Sequence, residues 1–384
     1  MNPIEQVQDA FSTFLREYFS IQDTITQRCT IGINTDTKKP EFGDINSNAP
    51  LILAKQLKRQ PLELAQEISE HFFHDYIATV EAAKPGFVNI TLTQDAFNHL
   101  AQQVYNKKST FFTTPAETPT QYNLEFISTN PTGPLHFGHG RGGIIGDTLA
   151  RILTFNSHNP TKEYYINDAG QQMEKLGMSV YYRCRQQLGD AISLPEDGYH
   201  GDYITDIAQK LIQEHGKAVV NNTYRFFARY ASDRLLSSIK DTLDTYRITY
   251  DVWFSETKLH EDGSIDAVLN TLTEAGHLYH EDGTVWFASS RFGDDKDRVV
   301  QRSNGEYTYL AADIAYLHNK FKRGFDKLVM VLGQDHHGYV SRLKAATQAL
   351  GYDADRLTII LYQLVTLKQT GQQVRMSKRT GNIV

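Results

Sequence analysis

Apolar side chains at Val7, Phe11, Phe14, Leu15 and Tyr18 recur three and four residues apart, the stripe of an amphipathic helix. Thr30-Ile31-Gly32-Ile33 reads as a short strand, followed by turn chemistry at Lys39-Pro40 and Gly43-Asp44. Residues 48–57 read as a helix, and Pro61 opens another through Leu62, Leu64 and Ala65. Proline suits that first position because the amide it lacks has no partner inside a helix. Pro85-Gly86 then turns the chain into Phe87-Val88-Asn89-Ile90-Thr91-Leu92, whose alternation predicts a strand. Up to here the pattern is that of a small α+β unit. Residues 107–120 are polar, carry Pro115 and Pro119, and read as a linker.

The second part has a different rhythm. A strand over residues 122–128 runs into a loop rich in proline and glycine, then a helix over residues 138–153 and a strand over residues 163–166. A charged, helical stretch covers residues 169–247, and short strands are expected at residues 250–254, 285–288 and 307–310. Lys327-Leu328-Val329-Met330-Val331-Leu332 is apolar on both faces, as a buried parallel strand requires. A helix over residues 340–350 and a second buried strand over residues 357–365 follow. Alternating strands and helices of this kind build a doubly wound parallel α/β sheet, here split by an insertion over about residues 169–300.

Composition narrows the class. The chain has 384 residues, more than one ordinary core holds, so two or three domains are expected. Apolar residues at 40% and charged residues at 22% exclude a wholly disordered chain. The longest apolar run, residues 357–365, is about half of what a membrane helix needs. Glu5, Asp9 and Glu17 interrupt the N-terminal stretch, unlike a secretory signal. Cys29 and Cys184 stand far apart with no second ligand nearby, which fits a reducing cytoplasm. A net charge of −6 gives no global attraction to nucleic acid or anionic lipid.

The candidate chemistry lies in two loops. In Pro131-Thr132-Gly133-Pro134-Leu135-His136-Phe137-Gly138-His139-Gly140, two imidazoles flank a glycine where a strand hands over to a helix. A helix N-terminus offers free N–H groups to phosphate, His136 and His139 can donate to phosphate oxygens, and Gly138 lets a flat base approach the backbone. Two polar histidines capping a loop would be the bland reading, which suits a lone histidine better than this pair. Gly138, Gly140 and Gly143 also match G-x-G-x-x-G, with Glu163 about 20 residues on, so a dinucleotide site stands as a rival. No P-loop sequence exists. The second loop, Val374-Arg375-Met376-Ser377-Lys378-Arg379-Thr380-Gly381, alone would be a solvated charge cluster. Beside the first it supplies Lys378 to neutralise a departing pyrophosphate.

Those two loops resemble the two signatures of class I aminoacyl-tRNA synthetases, with Arg375 in place of the usual first lysine of the second. The run from Glu125 to His136 and Tyr164-Tyr165-Ile166-Asn167-Asp168-Ala169-Gly170 resemble the arginyl-tRNA synthetases in particular. So do Gly43-Asp44-Ile45-Asn46-Ser47-Asn48 and Pro85-Gly86-Phe87-Val88-Asn89. The resemblance implies a Rossmann-like catalytic domain over residues 118–384, preceded by an α+β domain over residues 1–110 that touches the tRNA elbow. It implies His136, His139 and Lys378 in catalysis, with ATP held by His136, Gly138, His139, Gly333, Asp335, Met376 and Lys378. Arginine falls to Glu125, Asn130, Tyr309, Asp313 and Gln334. Carboxylates suit a planar guanidinium, and Tyr309 and Asp313, four apart, share one face of a helix. A metal at Asp335, His336 and His337 is conceivable, but adjacent histidines on a strand end point apart, so contacts to arginine and ribose are expected there and no protein-bound metal. The resemblance also implies magnesium with ATP, tRNA(Arg) and L-arginine as partners, a cytoplasmic monomer, and no membrane. The family's anticodon-binding domain would follow Val384, six residues after Lys378, and is expected to be absent, leaving this chain inactive in charging.

Two other classes stay open at this point. One is a small-molecule adenylyltransferase or dehydrogenase, separated by ATP-versus-NAD binding; the other is a tRNA-binding module without catalysis.

Overall fold

The first stripe becomes α1 (Pro3–Tyr18), opened by a capping box in which Asn2 Oδ1 accepts the Glu5 N–H and the Glu5 carboxylate accepts the Asn2 N–H. In this computed structural model the described residues are 1–369 and 372–374, apart from residues 30, 37, 114 and 115. Pro115 of the expected linker, and Arg375, Met376, Ser377, Lys378, Arg379, Thr380 and Gly381 of the second loop, therefore lie outside the described residues. The chain divides into two units, Met1–Thr113 and Thr114–Val384.

In the first unit α1 is followed by α2 (Asp23–Thr26), β1 (Ile31–Ile33), β2 (Ile45–Ser47), α3 (Ala49–Leu57), α4 (Pro61–His71), β3 (Ile77–Ala83), β4 (Phe87–Leu92) and α5 (Gln94–Lys107). The strands form an antiparallel sheet in the order β1-β2-β4-β3. Val7, Phe11 and Leu15 of α1 join Leu53, Leu64, Ile68 and Ile90 in one core.

In the second unit β5 (Gln121–Phe126) leads through α6 (Phe137–Phe155) to β6 (Asn159–Ile166). Three helices follow: α7 (Gln171–Gln187), α8 (Asp202–His215) and α9 (Tyr224–Thr245). Next come β7 (Val252–Ser255), α10 (Glu256–Glu261), α11 (Ser264–Glu274), and a three-stranded antiparallel sheet of β8 (Leu278–Glu281), β9 (Thr284–Phe287) and β10 (Arg298–Gln301). The last elements are α12 (Tyr309–Lys322), β11 (Lys327–Gly333), α13 (Tyr339–Ala349), β12 (Leu357–Tyr362), β13 (Leu367–Gln369) and β14 (Gln372–Val374).

The main sheet is parallel, ordered β12-β11-β5-β6-β7. From β5 the chain winds outward to β6 and β7, then returns to β11 on the other side. The order thus reverses between β5 and β11, and a crevice opens at their C-terminal ends, where open sheets bind ligands.

Two expectations change here. The stretch over about residues 169–300 is not one insertion, because β7 returns to pair with β6 inside the main sheet. A helical piece and the piece carrying β8–β10 lie on either side of that return. The strand expected over residues 307–310 keeps only a bridge at Tyr307, since Thr308 is the N-cap of α12 and Tyr309 its first residue. Alternation in Tyr-Thr-Tyr-Leu suggested a strand, but the helical stripe that continues past Asp313 prevails.

α12 is fixed to the sheet by buried charge. Lys320 Nζ donates to Glu125 Oε2 of β5 at 2.5 Å, and both side chains are almost wholly buried. Arg323 meets Glu163 of β6 in a two-bond fork of 2.6 and 2.8 Å. Tyr316 and Asn123 donate to the same carboxylate. Burial pushes the Glu163 carboxyl up, but Lys320, Arg323 and the Tyr316 hydroxyl outweigh it and hold the group below its ordinary range.

Candidate active site

Close packing places the first loop at the crevice. Added side chains at Gly146 and Gly142 would strike the rings of Phe126 and Tyr362, at 2.2 and 2.8 Å. These glycines bring α6 onto β5 and β12. Gly138, Gly140 and Gly143 lie within α6 itself and form no strand-to-helix turn. With Glu163 buried against Arg323, the dinucleotide reading loses both its glycine loop and its ribose acid.

His136 is the N-cap of α6. Its Nδ1 accepts the Gly138 N–H at 3.1 Å, and His139 Nδ1 accepts the His136 N–H at 3.1 Å. The two rings stack at 3.7 Å between centroids. An Nδ1 that accepts a backbone N–H leaves the proton of a neutral imidazole on Nε2, so each ring has a fixed tautomer with Nε2 as its donor.

The crevice is a cleft of about 670 Å3. The structure brings Glu125, Asn130, His136, Gly138, His139, Tyr309, Asp313, Gly333 and Asp335 to its wall. Gln334 begins the short turn after β11 and is not among the lining residues. Met376 and Lys378 lie outside the described residues. Asp335 is exposed beside Gly333, and its neighbour His336 stands 3.9 Å from it. Among the described residues no three His, Cys, Asp or Glu are grouped to hold a metal.

Tyr309, Asp313, Tyr316 and Lys320 follow one another at spacings of four, three and four along α12, so one helix face descends from mouth to floor. Tyr309 is half exposed, whereas Lys320 is buried. Between them, burial and then the neighbouring carboxyls of Glu256 and Glu125 push Asp313 up to about 7, and Arg342 offsets this only in part. Glu256, buried at the start of α10, is itself raised by burial, while Tyr165 and His260 pull it back; His260 Nε2 lies 3.5 Å away.

Several lining residues had no place in the sequence reading. Tyr316 and Lys320 were accessible by extending the Tyr309–Asp313 spacing along the helix. Glu256 does not line the cleft; it is buried at the joint between β7 and α10 that brings it near Asp313, and no local pattern marks it. Gln172, whose Oε1 accepts from Asn130 Nδ2 at 2.6 Å, was likewise hidden among polar residues at the start of α7.

A family profile described as "tRNA synthetases class I (R), catalytic domain" matches residues 101–384, and one described as "Arginyl tRNA synthetase N terminal domain" matches residues 5–92. The arginine–tRNA ligase of Anoxybacillus flavithermus is 40% identical over 391 residues, covering 100% of this chain and 70% of that protein. The arginine–tRNA ligase of Oleidesulfovibrio alaskensis is 44% identical over 356 residues, covering 90% of this chain and 63% of its own length. This chain thus spans 63–70% of those two relatives. A crystal structure from Campylobacter jejuni assigned to the arginyl-tRNA synthetases matches with a TM-score of 0.69 and 37% identity, over 76% of this chain and 64% of the other. With two profiles in sequence order and a relative at 40% identity along the whole chain, this protein belongs to the class I arginyl-tRNA synthetase family.

Proposed function

We propose that the cleft is the site at which an arginyl-tRNA synthetase activates L-arginine with ATP and from which the arginyl group passes to the 3′ end of tRNA(Arg). The observation that carries this reading is that one cleft is lined both by Asp313, a carboxyl pushed up to about 7 with the buried Glu256 near it, and by the stacked His136–His139 cap. A guanidinium is a planar cation that lets Asp313 ionise, which a neutral side chain cannot do. Tyr309 closes over it at the mouth. Asn130 takes the α-ammonium, Glu125 adds an acceptor whose charge Lys320 already balances, and Gln334 is assigned to arginine by resemblance.

ATP enters with its magnesium as a substrate complex, its base on Gly138 and Gly333 and its ribose toward Asp335. The arginine carboxylate oxygen attacks the α-phosphorus, and the bond from that phosphorus to the pyrophosphate oxygen breaks. His136 and His139 donate through Nε2 to α-phosphate oxygens as charge gathers there, a use of fixed donors worth roughly 10²–10³ in rate per donor. Lys378, with Met376 beside it, serves the leaving pyrophosphate. A ribose hydroxyl of the terminal adenosine then attacks the arginyl carbonyl carbon, and AMP leaves. Residues 1–110 are assigned to the tRNA elbow and residues 118–384 to catalysis. Two unpaired cysteines fit the cytoplasm, and among the described residues no helix is long and apolar enough to cross a membrane.

Calorimetric titration with arginine, lysine and citrulline in the presence of ATP tests the reading. Arginine should bind and citrulline, its neutral isostere, should fail. Equal binding of the two would refute it.

A further inference from the structure

We infer that Arg141 is a positioning residue for the nucleotide end of the cleft: it holds the chain that leaves β12 so that Leu364 stands over Gly333. The inference rests on the reading of the cleft just proposed, which seats the base on Gly138 and Gly333. Chain that has left a sheet keeps its course only where groups outside the ladder take up its backbone.

The pairing of β12 with β11 ends at Tyr362 and Gly333, and the next paired residue is Leu367. Three successive residues at this exit nevertheless meet fixed partners. The Tyr362 ring lies against α6, 2.8 Å from where a side chain on Gly142 would begin. The Gln363 carbonyl accepts from Arg141 Nη1 at 2.6 Å, across 222 positions of sequence. Leu364 lies against β11, its Cδ2 3.1 Å from where a side chain on Gly333 would begin. The first and last of these contacts are packing and tolerate a turn of the backbone. The charged donor on a carbonyl is the directional one, and it decides which way the peptide before Leu364 faces.

Leu364 is 52% exposed although it lines the cleft. An apolar side chain left open on a cleft wall is one that a flat ligand can cover. The Asp335 carboxylate lies over the same glycine, so one seat offers an apolar side chain to a base and an acceptor to a ribose. Arg141 is exposed and is not among the lining residues, so its influence passes through Gln363. It stands on α6, the helix that His136 caps. That helix therefore presents the histidines to phosphate and also holds the wall for the base.

Calorimetric titration of the whole chain with AMP, ATP and L-arginine tests the inference. AMP lacks the two outer phosphates and reports the seat of base and ribose. Arg141→Leu should weaken AMP and ATP alike, roughly 3–10-fold, and change L-arginine less than twofold. Leu364→Ala should weaken AMP to a similar degree, and Arg141→Leu added to it should cost less than a further twofold. If Arg141→Leu does not fold, Arg141→Gln, too short to keep the bond, decides the question. Loss of ATP with AMP unchanged would mean that Arg141 meets the outer phosphates, and equal loss of all three ligands that it only supports the fold. Either result overturns the inference, as do unchanged affinities, additive losses in the double variant, or a Leu364→Ala chain that binds AMP normally. A wild-type chain that binds neither nucleotide is a different failure: it refutes the reading of the cleft itself, and the inference falls with it.

Discussion

The sheet that forms and underlies the floor of the cleft, and the cleft's wall on α12, both hold carboxyls away from bulk water, and they treat them in opposite ways. On the floor, Glu163 has Arg323, Tyr316 and Asn123, and Glu125 has Lys320 at 2.5 Å. On the wall, Asp313 forms no ion pair among the described residues, and it faces Glu256, another acid. Where the cation belongs to the protein, the contact secures a helix to a sheet, and at Glu163 it holds the carboxyl low. Where burial and neighbouring acids outweigh the one nearby cation, Arg342, the Asp313 carboxyl is held high, and a closer cationic partner would come from a ligand. Identical chemistry therefore serves the fold in one place and binding in the other, and the pairing decides which.

The largest way to break the contrast is to remove a floor cation. Arg323→Met leaves Glu163 buried with only neutral donors and Lys320 nearby, and should cost about 3–5 kcal/mol of stability in urea unfolding. Arginine affinity of the fraction that stays folded should change little. A stable Arg323→Met chain with lost arginine binding would invert the assignment of floor and wall.

On the wall the expected loss is smaller and of the other kind. Asp313→Asn removes a charge-assisted bond to the guanidinium worth about 1.5–3 kcal/mol, so arginine affinity should fall by roughly 10–150-fold. ATP affinity should hold, and the melting temperature of the ligand-free chain at pH 8 should stay level or rise. Parallel titrations with arginine and ATP check this; equal loss of both ligands would make Asp313 a structural residue.

The pH dependence of stability should carry opposite signs in the two regions. Glu163, lowered in the fold, contributes stability above its unfolded value near 4.5 that is lost as pH falls through the lowered folded value. Asp313, raised from 3.8 to about 7, favours the ligand-free fold at low pH, and that contribution is lost as pH rises through 7. The smallest predicted effect is thus a melting temperature of Asp313→Asn that gains on the wild type between pH 5 and pH 8. A difference constant over that range would remove Asp313 as the titrating group.

How much of this was legible in the chain follows from distance along it. The His136–His139 cap and the Tyr309–Asp313 face are local patterns, set by residues within one or two helical turns, so the sequence displays them without the fold. The buried strands at residues 327–332 and 357–365 declared themselves through unbroken apolar runs, with β12 ending at Tyr362. β3 (Ile77–Ala83) escaped because Ile-Ala-Thr-Val-Glu-Ala-Ala neither alternates nor runs apolar. The return of β7 to the sheet escaped because four residues make a weak signal inside a long charged stretch. The charge pairing was beyond reach for a plainer reason: Glu125 and Lys320 lie 195 positions apart, and Glu163 and Arg323 lie 160 apart. A lysine and an arginine near the end of an amphipathic helix look like solvated ends until the sheet beneath them is built.

The measurement that meets the central claim most directly is the number of protons released when arginine binds, obtained by calorimetry in buffers of different ionisation enthalpy. With Asp313 at about 7 before binding and ionised against a guanidinium afterwards, about half a proton should leave at pH 7, close to none at pH 9, and none in Asp313→Asn. Binding at pH 7 with no proton released, or with the same release in Asp313→Asn, would contradict the account of a wall whose Asp313 waits for the ligand's charge.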